Sequence, residues 1–278
     1  MPNFDTPEPI VATLDFDVAS VRITASGRTD TVVEVRPAND ADEADVRAAR
    51  QTSVTCSGGR LLVKGPRKRS LFSRSGAVEV RVALPAGSDV RGNAPAGNFL
   101  CEGPLGECRI KTSAGHLQVA TATAVDLRTD YGDVSVDRVT GDATVVATGR
   151  IVVGEITGGA TIKNGNGETT VGEVTGDLRV SAANGRISVG VAHAAVDAKS
   201  ANGGIRIGEV VRGRTALHTA AGDLEVGVRP STAVWLEAHT QFGRLHNGLG
   251  PAEGPAAGEE TVEVRARTSM GDIVIRRA

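Results

Sequence analysis

The chain is poor in aromatic residues, with one Trp, one Tyr and five Phe among 278 residues. A wide core of stacked rings is thereby excluded, and a folded interior has to be lined by aliphatic side chains. Cysteine is also scarce. Cys56, Cys101 and Cys108 form an odd, small set that excludes a disulfide framework. Cys101 and Cys108 lack the further ligands of a zinc site and read as small buried hydrophobes. No apolar run approaches the ~20 residues that cross a bilayer as a helix. Met1 to Ile10 has neither the basic nor the apolar region of a secretory signal, so a cytoplasmic location is expected. Neither sign of charge dominates: 31 basic and 33 acidic side chains leave a net charge of −2. There is no general pull toward nucleic acid or an anionic membrane, and binding of that kind would have to be local. Arginine outnumbers lysine 26 to 5, as in the GC-rich genome of an actinobacterium.

Glycine, by contrast, is abundant at 35 residues, without the every-third-residue period of collagen. From residue 97 onward a phrase of glycine, charged residue, aliphatic, any residue, aliphatic recurs, as in Gly132-Asp-Val-Ser-Val136, Gly149-Arg-Ile-Val-Val153, Gly185-Arg-Ile-Ser-Val189 and Gly271-Asp-Ile-Val-Ile275. The anchor glycines from Gly97 to Gly271 are 18, 17, 17, 18, 18, 18, 19, 21 and 28 residues apart. Several repeats carry a second, similar phrase nine residues on, such as Gly176-Asp-Leu-Arg-Val180 after Gly167. Each repeat therefore holds two short strands of period two, and only stacking of successive turns in register gives them a continuous apolar interior. The spacing predicts an all-β fold, a parallel β-solenoid (β-helix) of about 18 residues per coil with two main strands per coil. The crossover preference of parallel strands predicts a right-handed coil.

The alternation places Val134, Val136, Ile151, Val153, Val171, Leu178, Val180, Ile187, Val189, Ile205, Ile207, Leu224 and Val226 inside, with Val139, Ile156, Val174 and Val210 near the opposite wall. The residue after each anchor alternates in sign from Asp133 through Arg150 and Glu168 to Arg186, and again through Asp223, Arg244 and Asp272, which suits neighbouring strands. Asn166, Asn184 and Asn202 are spaced for an amide ladder. Residues 1–90 differ: alternating stretches around residues 18–24, 31–35, 60–64 and 78–84, with one or two helical turns in 42–50, read as an antiparallel β cap on the repeat region 91–278. Residues 248–260 read as a mobile loop.

The recurring Thr-x-x-Gly-(Asp/Arg)-(Ile/Val)-x-(Val/Ile), at Thr129, Thr268 and, with serine, Ser200, resembles a bacterial family of β-strand-repeat proteins called putative adhesins, a domain of unknown function. The resemblance covers Asp15 to Ile275 and implies surface attachment, with a motif that specifies coil geometry and transfers no catalytic residue.

Candidate chemistry is sparse. Asp133, Glu168 and Asp223 are the carboxylates to weigh for sugar cleavage, but coils of 17 to 19 residues leave no room for the long loops of a cleft. The Gly-Gly-x-Gly-x-Asp step of calcium solenoids is missing. His218 and His239 each lie four residues before an anchor, which predicts adjacent coils, yet no third metal ligand accompanies them. No phosphate loop, nucleophile elbow or Cys-His pair is present. The reading is of no cofactor, no metal and no enzyme. One local feature has an interaction character: Lys64, Arg67, Lys68, Arg69 and Arg74 flank Leu71 and Phe72, a loop suited to an anionic partner. The expected function is a non-enzymatic interaction scaffold with a protein partner, without nucleic acid or integral membrane association. A self-assembling, bactofilin-like solenoid is the alternative, and a carbohydrate-active enzyme a third reading.

Overall fold

A computed structural model describes residues 2–66, 75–250 and 260–278. They form two compact units, Met1–Arg138 and Val139–Ala278. The first contains β1 (Asn3–Asp5), β2 (Val11–Asp15), β3 (Val18–Ser26), β4 (Asp30–Pro37), α1 (Glu43–Gln51), β5 (Ser53–Ser57), β6 (Arg60–Lys64), β7 (Val78–Pro85), β8 (Asp89–Ala114), β9 (Leu117–Tyr131) and β10 (Val134–Val139), whose last residue falls in the second. The expected antiparallel elements are here: β4 pairs with β7 and β1, and β5 with β6. Beneath them lie parallel coils, because β2 pairs with both β6 and β8, and β3 with both β7 and β8. The first unit therefore extends past residue 90, continuing through the parallel pair β8–β9. Helix α1 is held by Asp42, which accepts the Ala44 N–H at 2.8 Å, and by buried Asp45, which accepts the N–H groups of Ala77 and Asn39.

The second unit contains β11 (Ala143–Ala147), β12 (Ile151–Ile156), β13 (Ala160–Asn166), β14 (Thr169–Val174), β15 (Leu178–Asn184), β16 (Ile187–Ala192), β17 (Val196–Asn202), β18 (Ile205–Val210), β19 (Gly213–Ala221), β20 (Leu224–Val228), β21 (Thr232–Phe242), β22 (Leu245–Asn247), β23 (Glu260–Met270) and β24 (Ile273–Arg277). All pairings among its described strands are parallel. One sheet runs β11-β13-β15-β17-β19-β23-β21. The other runs β12-β14-β16-β18-β20-β24-β22. This is the two-stranded coil of a β-solenoid, and Ile187 sits in register with Ile205 as the spacing requires. Every side chain assigned above to the interior is buried, Val189 being the most exposed at 3%. Each large aliphatic contributes ~1.5–3 kcal/mol through burial, so the stack holds without large aromatics.

Chain order and spatial order part at the last coils. The final coil, β23-β24, inserts between β19-β20 and β21-β22. The expected alternation Asp223, Arg244, Asp272 is thereby corrected to Asp223, Asp272, Arg244, placing two acids side by side. Their carboxylates are held by backbone: Asp223 accepts the Asp272 N–H at 2.8 Å, and Asp272 accepts the Arg244 N–H at 2.8 Å. Asn98 and His116 serve the next coil's N–H in the same way in the first unit. Four members of the column, Asn98, His116, Asp223 and Asp272, thus cap corner amides of the neighbouring coil, a role that outweighs charge alternation at these exposed sites.

The threonine of the repeat motif has an analogous task. Thr219, Thr268 and Thr240 donate their hydroxyls to the carbonyls of Gly203, Gly222 and Gly271 at 2.9 to 3.0 Å, each reaching the anchor glycine of the neighbouring coil. Thr129 does the same to Gly115 in the first unit. The anchor itself must be glycine, as at Gly185, where φ is +115° and a Cβ would stand 2.1 Å from the Gly167 carbonyl oxygen. Of the expected amide ladder, Asn202 donates to Asn184 at 3.1 Å, and Asn166 lies in register with Asn184.

Candidate functional site

The two sheets of the second unit carry different charges on their outer faces. On the sheet containing β13, β15, β17, β19, β23 and β21, successive strands place Lys163, Ser181, Lys199, His218, Arg267 and His239 in one line, each the register partner of the next. All six are exposed, and none is acidic. Parallel strands lie ~4.8 Å apart, so Lys199, His218, Arg267 and His239 stand as immediate basic neighbours. The first unit repeats the placement, with Lys111 in register with Arg128.

The neighbouring line on the second unit's sheet, Thr161, Arg179, Asp197, Ala216, Arg265 and Glu237, is mixed. Its small member, Ala216, leaves a hollow of about 190 Å³ lined by Asp197, Lys199, Arg214, His218, Arg265 and Arg267 among others. Asp197 neutralises Lys199 in part, with Nζ 3.2 Å from Oδ2, and Glu237 pairs with Arg267 and Arg265. The Arg267 guanidinium holds the Glu237 carboxyl below its ordinary range, chiefly by donating a hydrogen bond to it. The opposite sheet places Glu155 in register with Glu173, and Glu209 further along the same line. A near-neutral chain thus carries a locally basic face.

The residues weighed for other chemistry fall elsewhere. Lys64 is exposed at the end of β6, while Arg67, Lys68, Arg69 and Arg74 lie outside the described residues, as do 251–259 of the expected loop. His218 and His239 are not on adjacent strands as expected: the inserted β23 puts Arg267 between them, which removes the shared-metal geometry. Among the described residues no three His, Cys, Asp or Glu side chains gather as a metal site. Cys101 and Cys108 are fully buried, and the Cys108 thiol is pushed well above its ordinary pKa by a hydrogen bond with Cys101 and by burial. Another hollow brings Asp142 and Asp177 to either side of Gly159, but Asp142 accepts the Gly159 N–H at 2.9 Å and Asp177 the Ala195 N–H at 3.3 Å. These are corner caps again.

The basic line does not show at the position after each anchor, nor in His218 and His239 taken alone. Lys163, Ser181, Lys199, His218, His239 and Arg267 all lie four residues before one, as do Lys111 and Arg128. That shared offset was the signal available.

Residues 11–276 match the profile of a family described as Toastrack DUF4097. No functionally curated protein matches the chain. Among solved structures, it is similar to a putative adhesin from Bacteroides fragilis at 11% identity, with 99% of this chain and 95% of that one covered and a TM-score of 0.37. A putative adhesin from Parabacteroides distasonis is 14% identical over 98% of this chain and 94% of its own, with a TM-score of 0.31. A putative cell adhesion protein from Clostridium sporogenes is 13% identical over 100% and 98%, with a TM-score of 0.25.

Proposed function

The chain belongs to the Toastrack DUF4097 family, and on that premise we propose that it is a non-enzymatic binding scaffold whose basic line receives an acidic surface of a partner protein. The observation that carries this reading is the run of adjacent basic side chains Lys199, His218, Arg267 and His239 on a parallel, in-register sheet. An acidic partner surface complements the Lys199 ammonium and the Arg267 guanidinium, which alternate with imidazoles along this line. In-register strands fix the spacing of the backbone positions that carry these charges, so no backbone ordering is left to the moment of binding. The corner carboxylates support a non-enzymatic role, since Asp142, Asp177, Asp223 and Asp272 are engaged with backbone amides.

The test is binding of the full chain to immobilised poly-L-glutamate, with poly-L-lysine as the opposite control, over a series of salt concentrations. Wild type is expected to retain the acidic polymer, with retention falling as salt rises. The double variant Lys163→Glu, Lys199→Glu, both changes being on exposed positions, is expected to lose about tenfold or more in affinity while melting like wild type. Equal retention of the two polymers, or an unchanged double variant, overturns the reading.

A further inference from the structure

The sheets of the second unit end on β21 and β22, and among the described residues nothing pairs with their outer edge. The edge is long and partly apolar, where natural edges are short, charged or covered. Val234, Leu236 and Ala238 are only half-buried, although their register partners on β23, Val262, Val264 and Ala266, are fully buried. Trp235 is 75% exposed and Phe242 66% exposed, with Leu245 of β22 beside them in the chain. The first unit treats its outermost strands differently: β1 has three residues and β5 five.

We propose that two copies of this chain join through the free edge of β21, pairing antiparallel about Ala238. Register selects the second copy as occupant. Half-residue shifts would turn inward side chains outward and are excluded by the two-residue period. Centring on Glu237 sets two carboxylates against each other, centring on His239 sets two imidazoles together, and centring on Trp235, Leu236 or Thr240 gives Glu237 no basic residue opposite. Centring on Ala238 places each Glu237 opposite the other copy's His239, twice over, with Leu236 opposite Thr240 and Trp235 opposite Gln241. The strand is thus complementary to itself in that register, and the pairing closes on a two-fold axis. Head-to-tail growth needs a comparable free edge in the first unit, whose outermost strands are too short to provide one. A closed dimer follows in place of the open filament of a self-assembling solenoid.

Trp235 is the only tryptophan, so its emission reports this edge directly. Sedimentation velocity and tryptophan emission of the full chain are followed together over a wide concentration range, without any acidic probe, so failure here leaves the basic line untouched. A monomer–dimer equilibrium is expected, with emission shifting to the blue as dimer forms. His239→Glu, which opposes carboxylates at both contacts, should weaken the dimer by about tenfold. Glu237→His combined with His239→Glu, which exchanges the two groups, should restore it. A monomer at every concentration overturns the proposal, whether Trp235 emits as exposed or as covered by another part of the chain. Species growing beyond dimer, or a dimer indifferent to His239→Glu with constant emission, overturn it equally.

Discussion

Replacing Gly190 by alanine tests how tightly the coils stack. Gly190 lies in a column with Gly172 and Gly208 across β14, β16 and β18, and its φ is not in the left-handed region, so alanine brings no backbone strain there. The obstacle is the neighbouring coil: a Cβ at 190 would stand 2.3 Å from the Gly172 carbonyl oxygen, and one at 208 would stand 2.7 Å from that of Gly190. An ordinary contact requires roughly 1 Å more, which strands held by a parallel ladder cannot yield without lengthening hydrogen bonds. Overpacking of this kind costs ~1–3 kcal/mol, against ~0.4–1 kcal/mol gained by restricting the unfolded chain. The net loss of about 1–2 kcal/mol corresponds to a Tm lower by roughly 2–8 °C for a chain of this size. Gly27→Ala is the matched control, because nothing lies within 4 Å of its added Cβ. Calorimetric melting should rank Gly190→Ala lowest, Gly208→Ala between, and Gly27→Ala at or slightly above wild type. A Gly190→Ala protein melting as high as Gly27→Ala would refute the stacked-carbonyl argument.

Val189 is buried between Val171 and Ile207, so Val189→Asp introduces an uncompensated charge at a cost of roughly 3–5 kcal/mol, whereas Ser188→Asp, facing outward next to Arg206, should stay within about 0.5 kcal/mol of wild type. Equal melting of the two variants would contradict the interior assignment. Thr219→Val leaves the Gly203 carbonyl without its hydroxyl donor and should cost ~1–3 kcal/mol, while Thr219→Ser should recover most of that in denaturant unfolding.

The interior was legible in the sequence because strand periodicity has only two phases, and the one that buries Ile187 and Ile205 exposes Arg186 and Arg206. The coil length followed from the same glycines, whose spacing reflects a steric need at every corner. The basic line was legible only by carrying the offset of His218 and His239 across the other repeats, since Lys199 and Arg267 look unremarkable singly. The corner role of Asp223 and Asp272 was hidden because a carboxylate beside glycine reads as surface charge unless the neighbouring coil's amide is known to face it.

What local pattern could not convey is the order of coils at the chain's ends. Each coil offers its neighbours the same aliphatic interior and the same corner glycine, so the phrase at Gly271 fits against Gly222 as well as the phrase at Gly243 does. Tertiary packing decides between them. Placing β23-β24 inward gives Val262, Val264 and Ala266 a neighbour on both sides, and leaves the partly exposed row Val234, Leu236 and Ala238 outermost. In the first unit, β2 and β3 are likewise paired on both sides, by β6 and β7 and by β8. Strands β2-β3 and β23-β24, each near a chain terminus, are therefore clamped between coils, where fraying would have to break two ladders at once, whereas the three-residue β1 is held by β4 alone.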